Sequence, residues 1–146
     1  MKKYLILTIA IMMFVAVVAA TAEAQVFGTQ RIRARIPFAF SVGEKSLPAG
    51  EYTIAVLNPT SGRKVLQIRS TDGRSSAIIQ TNEHNVNTPE QAKLVFNRYG
   101  DRYFFAQAQM AGDSTTLAAV KSNVERNTEQ TVASKGGKAT IAIIAG

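Results

Sequence analysis

Three arginines at alternate positions are the residues whose type and spacing best suggest a function. Arg31, Arg33 and Arg35 are separated by apolar residues within an alternating run, Arg31–Val42. On a β-strand such positions point to one face at intervals of about 7 Å, which makes a linear cationic ridge. One interpretation is an anionic-ligand ridge, which Lys64 and Arg69 extend if the register allows. The sequence favours the other interpretation, that the charges keep an exposed strand from pairing with other chains.

A second candidate surrounds the turn Gly100-Asp101-Arg102. Arg98, Tyr99, Arg102 and Tyr103 flank this turn in an aromatic-basic hairpin. We expect Tyr99 and Tyr103 to stack across the turn while the arginines face solvent. Hairpin aromatics commonly cover the edge of a core, and the alternative is a binding platform of aromatic and basic residues.

Catalytic and metal chemistry finds little support in the composition. The chain has no cysteine and a single histidine, His84, which lies in a polar segment and is expected to be solvated. Any serine nucleophile with a histidine base would therefore need His84. Five carboxylates are candidates for acid–base work on sugars, but no spacing selects two of them: Glu44, Glu51, Glu83, Glu90 and Asp101. We predict no catalytic, cofactor-binding or metal-binding residue.

The N-terminal segment has the pattern of a cleavable secretion signal. Lys2 and Lys3 precede an uncharged, mainly apolar run, residues 4–20, and Ala22-Glu23-Ala24 has the small residues that a signal peptidase requires. Cleavage is expected before Gln25. A membrane anchor is the alternative, although a spanning helix needs about 20 apolar residues and this run is at the lower limit.

Export and charge together limit the partners. Residues 1–24 form the predicted signal peptide, and residues 25–146 form a single exported domain, in the periplasm or secreted. The full chain has a formal net charge of +7 at pH 7, and removal of the signal with Lys2, Lys3 and Glu23 leaves +6 on the exported domain. Outside the cytoplasm, this charge favours an anionic envelope or extracellular polymer as partner and argues against nucleic acid. No membrane span is expected after signal cleavage, and the oligomeric state stays open.

Short alternating runs between turn signals predict the fold class. They indicate an all-β, mainly antiparallel sandwich or barrel of seven to eight short strands. Pro37 should place its strand at an edge or break it, and Asp72-Gly73 predicts a tight hairpin. Residues 82–91 are expected to form a polar loop. Residues 116–126 are expected to form one short helix, because three apolar residues follow Thr116 at helical spacing.

The C-terminal run, residues 139–145, is apolar and β-prone. Left exposed, such a segment promotes aggregation, so we expect it to pair as a strand with the body of the domain. That pairing is expected to bury Ile141, Ile143 and Ile144.

Two sequence motifs occur together in a recognisable way. Residues 37–43 lead into residues 47–53, and residues 94–104 follow later. The pair resembles a group of short exported bacterial proteins with a PFxFxVG…LPAGEYT opening and a LVFxRYGxxYF hairpin. The resemblance covers about residues 36–105 and implies an exported β domain. It carries over no catalytic residue.

These observations favour a non-enzymatic exported protein that acts in binding or as an envelope-associated structural component. A small secreted hydrolase acting on carbohydrate or cell-wall material is one alternative. A carrier that holds a small apolar ligand inside a barrel is another. Large residues expected to point inward argue against the carrier, because they would fill a small barrel: Phe38, Phe40, Tyr52, Phe96 and Phe104.

Overall fold

The structure is a computed structural model, which describes residues 30–57 and 63–145. The predicted signal peptide, its cleavage site and residues 58–62 lie outside the described residues. The described part contains ten strands and one helix. They are β1 (Arg31–Ile36), β2 (Phe40–Val42), β3 (Lys45–Leu47), β4 (Gly50–Val56), β5 (Val65–Ser70), β6 (Ser76–Asn85), β7 (Lys93–Tyr99), β8 (Arg102–Gln109), β9 (Thr115–Ala119), α1 (Asn123–Ser134) and β10 (Thr140–Ala145).

All ten strands belong to one mixed, largely antiparallel sheet. Its path runs β1-β4-β5-β6-β9-β8-β2-β3, and β7 and β10 follow on the other edge of β8. β2 pairs in parallel with the start of β8, whereas β9 pairs with its end. β6 is divided in the same way, since its first half pairs with β5 and its second half with β9. The all-β, mainly antiparallel fold class is confirmed.

The two ends of this sheet approach each other without joining. Cα atoms of β1 and β10 come within 8 Å, yet the described residues form no ladder between these strands. The architecture is therefore an open, barrel-like sheet. The strand count exceeds the expected seven to eight partly because a turn at Gly43 separates two three-residue strands, β2 and β3.

Alternation on β1 and β4 explains how the first part of the core forms. Ile32 and Ile36 of β1 are almost fully buried, while the residues between the apolar positions are exposed. Ile32 lies opposite Ile54 of β4 in the antiparallel register, so their side chains enter the same core. β1 ends before Pro37, which has no N–H to donate to a ladder, and among the described strands it pairs only with β4. Both the break and the edge position agree with the sequence.

Aromatic rings fill the inner side of the sheet. Phe40 meets Tyr52 and Phe96 edge to face, with ring centroids 5.2 and 5.3 Å apart, and Phe96 meets Phe105 at 5.8 Å. Phe104, which was expected to point inward, is instead buried on the opposite face, outside this core cluster. Its orientation follows from the register at the end of the hairpin, where Phe96 lies opposite Phe105.

The helix begins later than expected. Residues 115–119 form β9, in which Leu117 and Thr116 are buried between β6 and β8, and α1 starts only after Ser122. The expectation of a helix near residues 116–126 was therefore wrong in position, because β pairing on both sides captures the first part of that segment. The Ser122 hydroxyl caps α1 by accepting the Glu125 N–H at 3.1 Å. Within the described ranges, no helix is long and apolar enough to cross a membrane.

Two further expectations need correction. β6 continues to Asn85, so the first residues of the expected polar loop, 82–91, are strand that pairs with β9. The C-terminal segment pairs with β7 as expected, but Ile141 and Ile143 are 67% and 61% exposed. Their side chains point away from the sheet interior, so they add little burial. The side chain of Ile144 lies outside the described part.

Candidate anion-binding site

The arginines of β1 lie on the outer face of the sheet. Arg31, Arg33 and Arg35 are all exposed, because the alternate residues of this strand enter the core. Since β1 has one ladder neighbour among the described strands, the face that these arginines share continues onto β4. The register pairs Arg31 with Ala55, Arg33 with Thr53 and Arg35 with Glu51.

A groove of about 810 Å³ runs over this face of β1, β4 and β5. The three β1 arginines lie along one side and Arg69 of β5 lies on the other. Thr53 and Ala55 lie between them. Because these two side chains are short and arginine is long, the middle of the groove is lower than its sides. The turn at residues 71–73 closes one end.

The β4–β5 register places Arg69 in the groove. It lies opposite Thr53, which in turn lies opposite Arg33. The Arg69 guanidinium packs beside Gly73, where an added Cβ would be 3.4 Å from Nη2. Gly73 also has φ +74, as the predicted tight hairpin requires.

Lys64, the other proposed extension of the ridge, does not reach the groove. Its position has the same parity as Leu66 and Ile68, which are buried in the core. Lys64 therefore projects from the inner side of the sheet, where its Nζ lies 3.3 Å from Glu83 Oε1.

The groove arginines form no ion pair within the described part of the chain. None of Arg31, Arg33, Arg35 and Arg69 has a carboxylate within 4.0 Å among the described residues. Two acidic residues, Glu51 and Asp72, also line the groove. Four guanidinium groups against two carboxylates leave a positive excess in one concave surface, and such a surface attracts anions.

Asp72 is held within the hairpin that closes the groove. Its Oδ1 accepts a hydrogen bond from the Ser70 hydroxyl at 2.6 Å and from the Arg74 N–H at 3.0 Å. The Ser70 hydrogen bond, followed by the Arg74 backbone contact, lowers the pKa of the Asp72 carboxyl. Asp72 therefore stays ionised while serving the turn.

The aromatic-basic hairpin does not form one surface. Tyr103 lies opposite Arg98 in the β7–β8 register, and its ring stacks on Phe38 at 3.9 Å between centroids. The Arg98 guanidinium lies 5.4 Å from the centroid of the same ring. This group occupies the inner side of the hairpin, at the margin of the core.

Tyr99 and Arg102 lie on the other side. Tyr99 is buried against Phe104, and the Arg102 Nη1 donates to Thr128 Oγ1 of α1 at 2.9 Å. Tyr103 lies opposite Arg98, and Tyr99 is the next residue after Arg98 on β7. Because consecutive residues of a strand point to opposite faces, the two tyrosines lie on opposite faces of the hairpin, and the expected stacking of Tyr99 on Tyr103 is wrong.

Glu125 of α1 is a buried polar residue that the sequence analysis missed. Its side chain is 4% exposed, and Oε1 accepts from Asn97 Nδ2 at 2.8 Å and from the Tyr99 hydroxyl at 3.2 Å. Burial raises the pKa of the Tyr99 hydroxyl. The Ser122-x-x-Glu125 pattern is a helix N-terminus signal that could have located this helix.

Residues considered for catalysis are dispersed. His84 is exposed on β6. The candidate carboxylates lie on five separate segments, and Glu83 is engaged by Lys64. Within residues 30–57 and 63–145, no group of three or more His, Asp or Glu side chains is arranged to hold a metal ion.

Fold and site together define a mainly antiparallel β protein with an arginine-lined groove on its outer face. Comparison with protein-family models, with curated proteins and with solved structures found no match for this chain. What the groove can do chemically therefore follows from its own residues. Guanidinium forks and a hydroxyl at its centre suit the binding of oxyanions.

Proposed function

We propose that this protein is an exported, non-enzymatic binding protein whose outer groove holds an anionic polymer of the envelope or the extracellular medium. The observation that supports this most is the set of four arginines that line one groove without a carboxylate partner in the described structure. The signal-like N-terminus, residues 1–24, supports a location outside the cytoplasm.

The layout of the groove favours an elongated ligand. The β1 arginines repeat at intervals of about 7 Å, so the row is about 14 Å long. A polymer with regularly repeated charges can meet several of these arginines at once, which multiplies weak contacts. Exposed charges act over about 8 Å at physiological ionic strength, so binding should depend strongly on salt.

Retention on an immobilised anionic polysaccharide at rising salt tests this proposal. The test variant replaces Arg31, Arg33 and Arg35 with glutamine. A matched variant removes three exposed positive charges outside the groove, by replacing Lys45, Lys93 and Lys138 with glutamine. We expect the arginine variant to elute at much lower salt than the wild type, and the lysine variant to elute close to it.

Two results would contradict the proposal. If both variants elute at the same salt concentration, retention reflects net charge and not the groove. If the arginine variant retains its affinity but aggregates, the arginines guard the β1 edge against pairing with other chains.

A further inference from the structure

One row of side chains across the groove combines two arginines with a hydroxyl. Thr53 lies opposite Arg33 on one side and opposite Arg69 on the other. Neighbouring strands are about 4.8 Å apart, so the backbones that carry the two arginines are about 10 Å apart with Thr53 midway. Arginine side chains are long enough to reach an anion placed above Thr53 from both sides.

The donors of this row are free to bind a ligand. In the described part of the chain, the Thr53 hydroxyl makes no side-chain hydrogen bond. Every buried side-chain oxygen or nitrogen there has a partner, so a hydroxyl without one is not buried. The hydroxyl of half-buried Thr53 is therefore open to the groove. Arg33 and Arg69 likewise have no ion-pair partner among the described residues.

The rows on either side offer less. Arg31 lies opposite Ala55, which has no polar side-chain atom. Arg35 lies opposite Glu51, whose carboxylate repels an anion. Of the three rows that begin on β1, the middle one alone places a hydroxyl donor between two arginines.

We propose that Arg33, Thr53 and Arg69 form the seat for the anionic group of the ligand, and that this seat favours a sulfate ester or a phosphate monoester over a carboxylate. The donors come from three directions, and these tetrahedral groups present three free oxygens. A carboxylate presents two, which a single arginine fork can satisfy. The inference rests on the proposed binding of an anionic polymer and specifies the chemistry of its charged group.

Three dextrans that differ only in their charged group test this inference. They carry sulfate, phosphate monoester or carboxymethyl groups at equal chain length and substitution. At about pH 5 each group carries close to one negative charge, since the second pKa of a phosphate monoester is about 6. We expect the sulfate or the phosphate dextran, or both, to bind the wild type about tenfold more tightly than carboxymethyl dextran, as one extra charge-assisted hydrogen bond would provide. A difference between these two identifies the ester.

Variants of the row separate selectivity from general attraction. Thr53→Val keeps the side-chain shape and should remove most of the preference, whereas Thr53→Ser should retain it. Arg69→Gln should also reduce the preference, whereas Arg31→Gln should weaken all three polymers by the same factor.

The outcomes distinguish this inference from the proposed function. Equal binding of the three dextrans, a preference for carboxymethyl, or an unchanged preference in Thr53→Val would overturn the seat while leaving polymer binding in place. Wild-type protein that binds none of the dextrans would overturn the proposed function itself.

Discussion

Replacing Glu125 with alanine should destabilise the protein by detaching α1 from the β7–β8 hairpin. The Glu125 carboxylate is buried, and one oxygen accepts hydrogen bonds from both Asn97 and Tyr99. Alanine would leave these two donors without an acceptor beneath the helix. Glutamine is the matched control, because it retains one oxygen acceptor while it removes the charge and replaces the other oxygen with an NH2 group.

The size of this effect follows from the two contacts. A hydrogen bond to a charged group contributes about 1.5–3 kcal/mol. Alanine removes two such bonds, but it also removes the desolvation cost of the buried carboxylate, which offsets part of the loss. We therefore expect Glu125→Ala to lower the free energy of unfolding by about 2–4 kcal/mol, and Glu125→Gln by less than about 1 kcal/mol. A domain of this kind has about 5–15 kcal/mol in total.

Urea unfolding followed by circular dichroism provides the assay. The midpoint should fall in Glu125→Ala with little change in the slope of free energy against denaturant. If Glu125→Ala unfolds within about 0.5 kcal/mol of the wild type, this carboxylate does not hold the helix. Equal destabilisation by alanine and glutamine would show that one oxygen acceptor at this position is not enough to hold the helix.

Three further predictions concern the C-terminal strand, alkaline stability and processing. Replacing Ile141 and Ile143 with serine should change stability by less than about 1 kcal/mol in the same urea assay, since both side chains are exposed; a larger loss would mean that they are covered. Burial raises the pKa of Tyr52 and Tyr99 above 10.0, so the unfolded chain loses these protons first and stability should fall as pH rises past about 10. Tyr99→Phe should flatten that decline in a pH series of urea midpoints, and an unchanged slope would argue against it. Intact mass of the exported protein should correspond to a chain beginning at Gln25, and mass that retains residues 1–24 would revive the membrane-anchor interpretation.

The local features of the fold could be predicted from the sequence because they depend on neighbouring residues. The alternation around Ile32 and Ile36 defines β1, and Pro37 ends it. Gly73 and Gly100 have the positive φ angles that their hairpins need. In each case a few adjacent side chains determine the backbone conformation, so the pattern can be read along the chain.

The errors arise where distant strands decide the outcome. Residues 115–119 have apolar positions compatible with a helix, but pairing with β6 and β8 makes them a strand. Phe104 faces away from the core because Phe96 lies opposite Phe105, and the β7–β8 ladder shifts register between Val95 and Phe96. No local pattern reveals such a shift.

The candidate site also combines a feature that the sequence predicts with others that depend on distant strands. Alternation alone placed the β1 arginines on one face, but whether Arg69 or Lys64 joins them depends on the β4–β5 register. That register also brings Thr53 between Arg33 and Arg69. A shift by one residue would have turned Arg69 inward, because the side-chain period of a strand is two.

The salt dependence of polymer affinity tests the central claim most directly. For a polyelectrolyte ligand, the slope of log K against log salt concentration reflects the number of charge contacts, with roughly one counterion released per contact. Four engaged arginines should give a slope of about −3 to −4, and replacement of Arg31, Arg33 and Arg35 with glutamine should bring it to about −1. The variant with Lys45, Lys93 and Lys138 replaced should keep the wild-type slope. Equal slopes for the wild type and the arginine variant would show that the groove is not where the anion binds.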